Sequence, residues 1–210
     1  MSLPSPLLAV TDRHGHARPL ADTVRAVLAG GGRWIWFRDR DLPADERLRL
    51  GEAVAAEVRA AGGILTVGGD IALAVALGAD GIHLRGGSDA VAQARDRLGG
   101  GVIGVSAHSL SDVEAAAAAG ADYVTLSPIY PTASKPGYGP ALGPGGIAAA
   151  RACGVPVVAL GGIGMTSLAA CRGAGAAGFA AMGSVMRAGD PAEVTRTLLA
   201  RWHTGDGTRA

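Results

Sequence analysis

Eight times along this chain a short, nearly continuous apolar run is followed by a stretch with helical spacing, and that alternation leaves few folds open. Strands are expected over 7–10, 34–37, 64–67, 82–84, 102–105, 123–126, 157–160 and 178–181, and helices over 20–29, 45–61, 70–77, 89–98, 110–119, 145–152, 166–172 and 191–202. A strand that is apolar on both faces is covered on both, and parallel strands need crossovers that return along a packed face. The repeat therefore implies a parallel sheet wrapped by helices, and eight such units close into a (β/α)8 TIM barrel of the α/β class. Gly78-Ala79-Asp80 and Gly120-Ala121-Asp122 each end a helix on glycine and turn directly into a strand, and Gly175-Ala176-Ala177-Gly178 is a related join. An open doubly wound sheet is the alternative, but its Gly-x-Gly-x-x-Gly turn after the first strand is absent. One barrel is expected over 1–203, with a tail over 204–210.

In such a barrel the strand-to-helix loops share one mouth, so residues far apart in sequence converge there. Arg38, the Gly68-Gly69 turn, Arg85 to Ser88, Ser106 to His108, Ser127 to Lys135, Gly161-Gly162 and Gly183-Ser184 all follow strand ends. The sixth loop gathers Thr132, Ser134 and Lys135 between prolines. Hydroxyl donors beside a compact ammonium suit phosphate or pyrophosphate oxygens, although a surface loop with an incidental lysine has the same composition. Leu160-Gly161-Gly162-Ile163 and Ala181-Met182-Gly183-Ser184 close strands seven and eight, where phosphate-binding barrels present backbone N–H groups and a helix N-terminus; a plain tight turn needs glycine equally. Trp34, Trp36 and Arg38 share strand parity, so an Arg38 at the mouth stands above two tryptophans and can meet an anion, or else pairs on the surface with Asp39 or Asp41. His108 follows the fifth strand, where an imidazole can exchange protons near neutral pH, cap the next helix or pack structurally. His83, inside a strand, reads as a core histidine; His14, His16 and His203 read as solvated.

The formal net charge of +1 over 210 residues gives no reason for nucleic acid or an anionic membrane to be the partner, so any cationic site has to be local. Cys153 and Cys171 lack metal-ligand spacing and read as reduced cytosolic thiols. No basic, long apolar leader is present and no apolar run reaches the ~18 residues needed to span a bilayer, so a cytoplasmic location is expected.

Together these residues resemble the thiamine phosphate synthase and TenI family. The resemblance runs through Ala9-Val10-Thr11-Asp12-Arg13, Arg38, Leu77-Gly78-Ala79-Asp80-Gly81-Ile82-His83-Leu84, Gly104-Val105-Ser106-Ala107-His108-Ser109, Pro128 to Pro136 and Val158-Ala159-Leu160-Gly161-Gly162-Ile163. It implies a barrel, commonly homodimeric, whose mouth recognises a thiazole phosphate. The synthase joins that thiazole to an aminopyrimidine methyl diphosphate and releases pyrophosphate, with Mg²⁺ and cationic residues stabilising the departing group. Carried onto this chain, Arg38, Thr132, Ser134 and Lys135 serve the pyrophosphate side with Ser106 nearby; Gly161, Gly162, Met182, Gly183 and Ser184 hold the thiazole phosphate.

The departures from the family pattern set the order of the functional expectations. Gly68 and Gly69 stand where synthases place Asn-Asp, the Gly-Gln-acidic-Asp run becomes Arg85-Gly86-Gly87-Ser88, and the glutamine before the Arg38 position is Trp36. Hard Mg²⁺ wants carboxylate oxygen, so no metal or other cofactor is expected. Arg85 adds an anion contact, or replaces the metal's charge directly. The first expectation is therefore a TenI-like thiazole tautomerase using His108 for proton transfer. The alternative is an Mg²⁺-dependent thiamine phosphate synthase in which Asp70 and Asp89, one residue beyond the missing carboxylates, restore the metal site. A noncatalytic binder of a phosphate ligand is the third.

Overall fold

Eight short strands pair in parallel and in chain order: β1 Leu7–Val10, β2 Trp34–Phe37, β3 Ile64–Gly68, β4 Gly81–Leu84, β5 Val102–Ala107, β6 Tyr123–Leu126, β7 Val157–Ala159 and β8 Gly178–Ala181. β8 bonds back to β1 through Leu7↔Phe179 and Ala9↔Ala181, which closes the barrel. The computed structural model describes residues 2–131 and 139–204. The helices are α1 Leu20–Ala29, α2 Ala44–Ala60, α3 Ile71–Ala76, α4 Ser88–Leu98, α5 Leu110–Ala118, α6 Gly143–Ala150, α7 Leu168–Gly173, α8 Gly183–Met186 and α9 Pro191–Thr204. None is long and apolar enough to cross a membrane among the described residues.

Strand alternation sorts the apolar residues into two cores. Leu7, Ile35, Phe37, Val67, Ile82, Ile103 and Val105 point outward and pack beneath the helices. Leu8, Val10, Trp34, Trp36, Tyr123, Val158 and Ala180 point inward and fill the barrel. The inward parity then continues past the strand ends. Arg38 follows Trp36, Gly68 follows Thr66, Arg85 follows His83, and Ser106, Ser127, Leu160 and Met182 stand at the same level around the mouth. This is why residues spread over most of the chain meet at one end.

The barrel centre also holds a polar network. Trp34 Nε1–H donates to Thr66 Oγ1 at 2.8 Å, His83 Nδ1 lies 2.9 Å from the Tyr123 hydroxyl, and His83 Nε2 lies 3.0 Å from Ser106 Oγ and 3.2 Å from Thr125 Oγ1. Gly104 makes room for this arrangement, because a Cβ there would sit 2.1 Å from Tyr123 Cζ. Full burial, with a smaller push from the Arg40 charge, lowers the His83 pKa to about 3 and keeps the ring neutral; burial pushes Tyr123 upward. His83 is thus the core histidine expected from its strand position, with Trp36 tilted over it at 3.9 Å between ring centroids.

Several boundaries differ from the sequence expectation. The sixth helix starts at Gly143 and ends in a 3-10 turn, Arg151–Cys153, because Pro144 suits a helix's first turn and extends it backwards. α8 is new: four residues are too short to show helical periodicity. α9 reaches Thr204, one residue into the expected tail, and 205–210 lie outside the described residues. His16 is half-buried, with Nε2 3.1 Å from the Asp12 carbonyl oxygen, and so is not simply solvated.

Candidate functional site

The inward parity and the loop glycines open a cavity of about 610 Å³ at the carboxyl ends of the strands. Trp36 lies in its floor, Arg38, Arg40 and Arg85 line the side above β2 to β4, and Gly161, Gly162, Gly183 and Ser184 line the side above β7 and β8. Ser106, His108, Ser127 and Arg187 complete the wall. A second cavity of about 620 Å³, floored by Gly68, Gly69 and Asp70, meets the first at Arg40 and Arg85.

Each functional side chain is held by a local reason. The backbone N–H of Arg38 donates to Thr11 Oγ1 at 2.9 Å, which fixes the turn after β2, and its side chain lines the same cavity as Trp36. Asp39 does not pair with Arg38: Thr11 Oγ1–H donates to its Oδ2 at 2.5 Å and the Arg13 N–H to its Oδ1 at 3.0 Å. Asp41 is taken by Arg13 and His14. The surface ion pair weighed for Arg38 is therefore absent, and its guanidinium lines the cavity.

On the opposite side Gly161 and Gly162 have φ of +94° and +64°. A Cβ on Gly162 would lie 2.6 Å from the Pro131 carbonyl oxygen and 2.7 Å from Tyr130 Cβ, so both conformation and space demand glycine. The sixth and seventh loops are laced together here, with the Ile129 N–H on the Leu160 oxygen at 2.9 Å and the Tyr130 N–H on the Gly161 oxygen at 3.0 Å. Gly183 and Ser184 open α8, where N–H groups have no intrahelical acceptor, and their neighbour Arg187 pairs with buried Asp12. That pairing, against the cost of burial, holds the Asp12 carboxyl below its usual range. This side thus offers backbone donors around glycine, the surroundings a phosphate needs.

His108 stands between the two sides. Its backbone N–H donates to Asp112 Oδ2 at 2.8 Å, and Nδ1 lies 2.8 Å from the Ser127 carbonyl oxygen. A carbonyl only accepts, so Nδ1 donates to it. Ser109, not His108, caps α5 through its side chain, accepting from the Asp112 N–H at 3.1 Å.

The residues offered as restored metal ligands do other work. Asp70 caps α3, accepting from the Leu73 N–H at 2.9 Å, and its other oxygen pairs with Arg47 Nη1 at 3.0 Å. Asp89 is exposed in the first turn of α4, 3.3 Å from Ser88 Oγ, and does not line the mouth. Asp70 thus lines the second cavity with both oxygens engaged, and Asp89 lines neither cavity. No group of three or more His, Cys, Asp or Glu side chains suited to a metal occurs among the described residues.

Arg40 is the site residue that sequence reasoning missed. Its Nη2 and Cζ lie 3.3 and 3.5 Å from where a Gly69 Cβ would be, and its Nε lies 3.4 Å from where a Gly68 Cβ would be. The guanidinium thus packs directly against the bare backbone of Gly68 and Gly69. Burial and the neighbouring charges of Arg85, Arg38 and Arg47 lower its pKa to about 10. A cation here would meet guanidinium groups where it needs carboxylates, so the residues present do not fit the Mg²⁺ that the family resemblance implies. The paired glycines were visible in the sequence, but nothing local announced that Arg40 would pack against them. Thr132, Ser134 and Lys135 lie outside the described residues.

Comparison with known proteins fits this geometry. The family model described as thiamine monophosphate synthase matches residues 7–185. A putative thiamine-phosphate synthase of Geobacter sulfurreducens is 41% identical over 197 residues, covering 92% of each chain. A thiamine-phosphate synthase of Roseiflexus castenholzii is 39% identical over 193 residues, covering 90% of this chain and 84% of its own. Among solved structures, thiamine phosphate pyrophosphorylase from Pyrococcus furiosus superposes with a TM-score of 0.84 at 28% identity, covering 96% of each chain. With the match spanning every strand of the barrel, the chain belongs to the thiamine monophosphate synthase family.

Proposed function

We propose that this protein makes thiamine phosphate by joining an aminopyrimidine methyl diphosphate to a thiazole phosphate. The observation that carries this reading is the division of one cavity into two anion-binding sides: Arg38, Arg40 and Arg85 above β2 to β4, and the glycine-lined backbone above β7 and β8. Coupling brings together two substrates with a phosphate or diphosphate each, so two such sides are needed; tautomerisation of one thiazole phosphate needs only the second. The names of the full-length relatives support the same choice, and the synthase thereby replaces the tautomerase as the preferred reading.

In this reading the thiazole phosphate is held by N–H groups around Gly161, Gly162, Gly183 and Ser184 with Met182 beneath. The diphosphate lies against the arginines, with Thr132, Ser134 and Lys135 supplied by the sixth loop. The bond between the methylene carbon and the diphosphate oxygen breaks, the thiazole nitrogen bonds that carbon, and pyrophosphate leaves with the electron pair. Charge grows on the diphosphate oxygens as this happens, and fixed guanidinium groups in a partly dry cavity stabilise it more than they stabilise the substrate. Ser106 and His108 border the space between the two sides. A cytoplasmic homodimer is part of the proposal, carried over from the sequence.

One observation favours a second reading: His108 lines the cavity, with Nδ1 held 2.8 Å from the Ser127 carbonyl oxygen, and an imidazole so placed can exchange protons with a thiazole phosphate. The test supplies both synthase substrates to purified protein and quantifies thiamine phosphate and pyrophosphate. Equimolar products are expected. No products from folded protein, with thiazole tautomerisation that disappears in His108→Ala, would install the second reading; tight binding without either turnover would leave a noncatalytic binder.

A further inference from the structure

The side of the mouth above β2 to β4 has an unusual balance of hydrogen-bonding groups. Arg38, Arg40 and Arg85 form no ion pair with a described carboxylate. Arg40 Nε is buried without an acceptor, and so is the indole N–H of Trp36, a side chain only 4% exposed. These two donors converge over Gly68: Trp36 Nε1 lies 2.9 Å, and Arg40 Nε 3.4 Å, from where a Cβ on that residue would be. The nearest carboxylate among the cavity-lining residues, Asp70, is committed to Arg47 and to the α3 cap.

Buried donors without acceptors are destabilising, and like charges gathered at one place add to that cost. A ligand relieves both penalties only if it is an anion rich in acceptor oxygens and poor in donors. Carboxylic acids with amino or hydroxyl groups fit less well, because they bring donors to a surface that has only donors. A divalent cation relieves neither.

We propose that Trp36, Arg38, Arg40 and Arg85 form a metal-independent subsite for the diphosphate class of polyanion, with the Arg40 guanidinium packed against Gly68 and Gly69. The proposal deepens the coupling reading, on which the identity of the diphosphate rests, and makes the protein itself the source of the positive charge. Mg²⁺ then competes with the site, since a magnesium–pyrophosphate complex presents less negative charge and fewer open oxygens than free pyrophosphate.

The test is calorimetric titration of the full chain with inorganic pyrophosphate, first in a chelator and then in excess Mg²⁺. Binding is expected in the chelator and should weaken when Mg²⁺ is added. Arg40→Ala should weaken it at least about 10-fold, in line with loss of a charge-assisted contact. Arg85→Ala, at an exposed position, and Trp36→Phe, which keeps a ring but removes the donor, should each weaken it about 3-fold or more. Arg97→Ala, exposed in the last turn of α4, removes the same charge far from the mouth and should leave binding unchanged. Pyrophosphate that binds only with Mg²⁺ overturns the proposal, as does chelator-stable binding that is indifferent to Arg40→Ala, Arg85→Ala and Trp36→Phe. Because this titration involves no turnover, a protein that binds pyrophosphate as expected but never forms thiamine phosphate refutes the coupling reading and keeps the subsite.

Discussion

A distinct share of this barrel's acid destabilisation should come from His83. Its ring is completely buried, and its pKa is lowered to about 3 by burial first and by Arg40 second. An unfolded histidine titrates near ~6.5. Below that pH the unfolded chain takes up a proton that the folded chain refuses, so stability rises with pH between about 3 and 6.5 and is fully present above that window. At pH 4.5 the two states differ over about two pH units, which is worth about 3 kcal/mol. The assay is urea unfolding at pH 7.0 and pH 4.5 for the wild type and His83→Gln, which retains a donor and an acceptor for Tyr123, Ser106 and Thr125. Carboxylates titrate in both proteins, so the readout is the difference between their two pH-dependent losses. The variant should lose about 2–3 kcal/mol less than the wild type, whatever its stability at neutral pH. Equal losses in the two proteins would refute a neutral, proton-refusing His83.

Other perturbations separate structural roles from functional ones. Gly162→Ala places a Cβ at φ +64° against Pro131 and Tyr130, so it should cost about 2–4 kcal/mol in urea unfolding and weaken thiazole phosphate binding. Gly104→Ala drives a methyl into the Tyr123 ring and should destabilise by about 1–3 kcal/mol or more, with Tyr123→Leu recovering part of the loss in the double variant. Asp70→Ala removes the α3 cap and the partner of Arg47, which is 8% exposed, so it should lower stability by about 1–3 kcal/mol. Unchanged stability with abolished Mg²⁺-dependent coupling would instead make Asp70 a metal ligand.

The barrel was legible because strand and helix periodicities are local and repeat. Parity alone placed Trp34 and Trp36 under Arg38, and the strand position of His83 marked it as core. What stayed hidden depends on contacts across the sheet. The Trp34, Thr66, Tyr123 and His83 network joins four strands, and its one sequence signal, Gly104, has meaning only beside Tyr123. Arg40 is the clearer case. Gly68 and Gly69 read as positions without metal ligands, which favoured a reaction without a departing pyrophosphate, whereas in the folded chain a guanidinium packs against them. A carboxylate and a guanidinium have opposite consequences for binding an anion, and only the fold shows that Arg40 reaches the two glycines.

Thiamine phosphate formation in the presence of a chelator is the most direct test of the central claim. Purified protein given both synthase substrates should form product with Mg²⁺ removed, at a rate no lower than with Mg²⁺ present. Product that appears only when Mg²⁺ is restored, or no product in either condition, would contradict it.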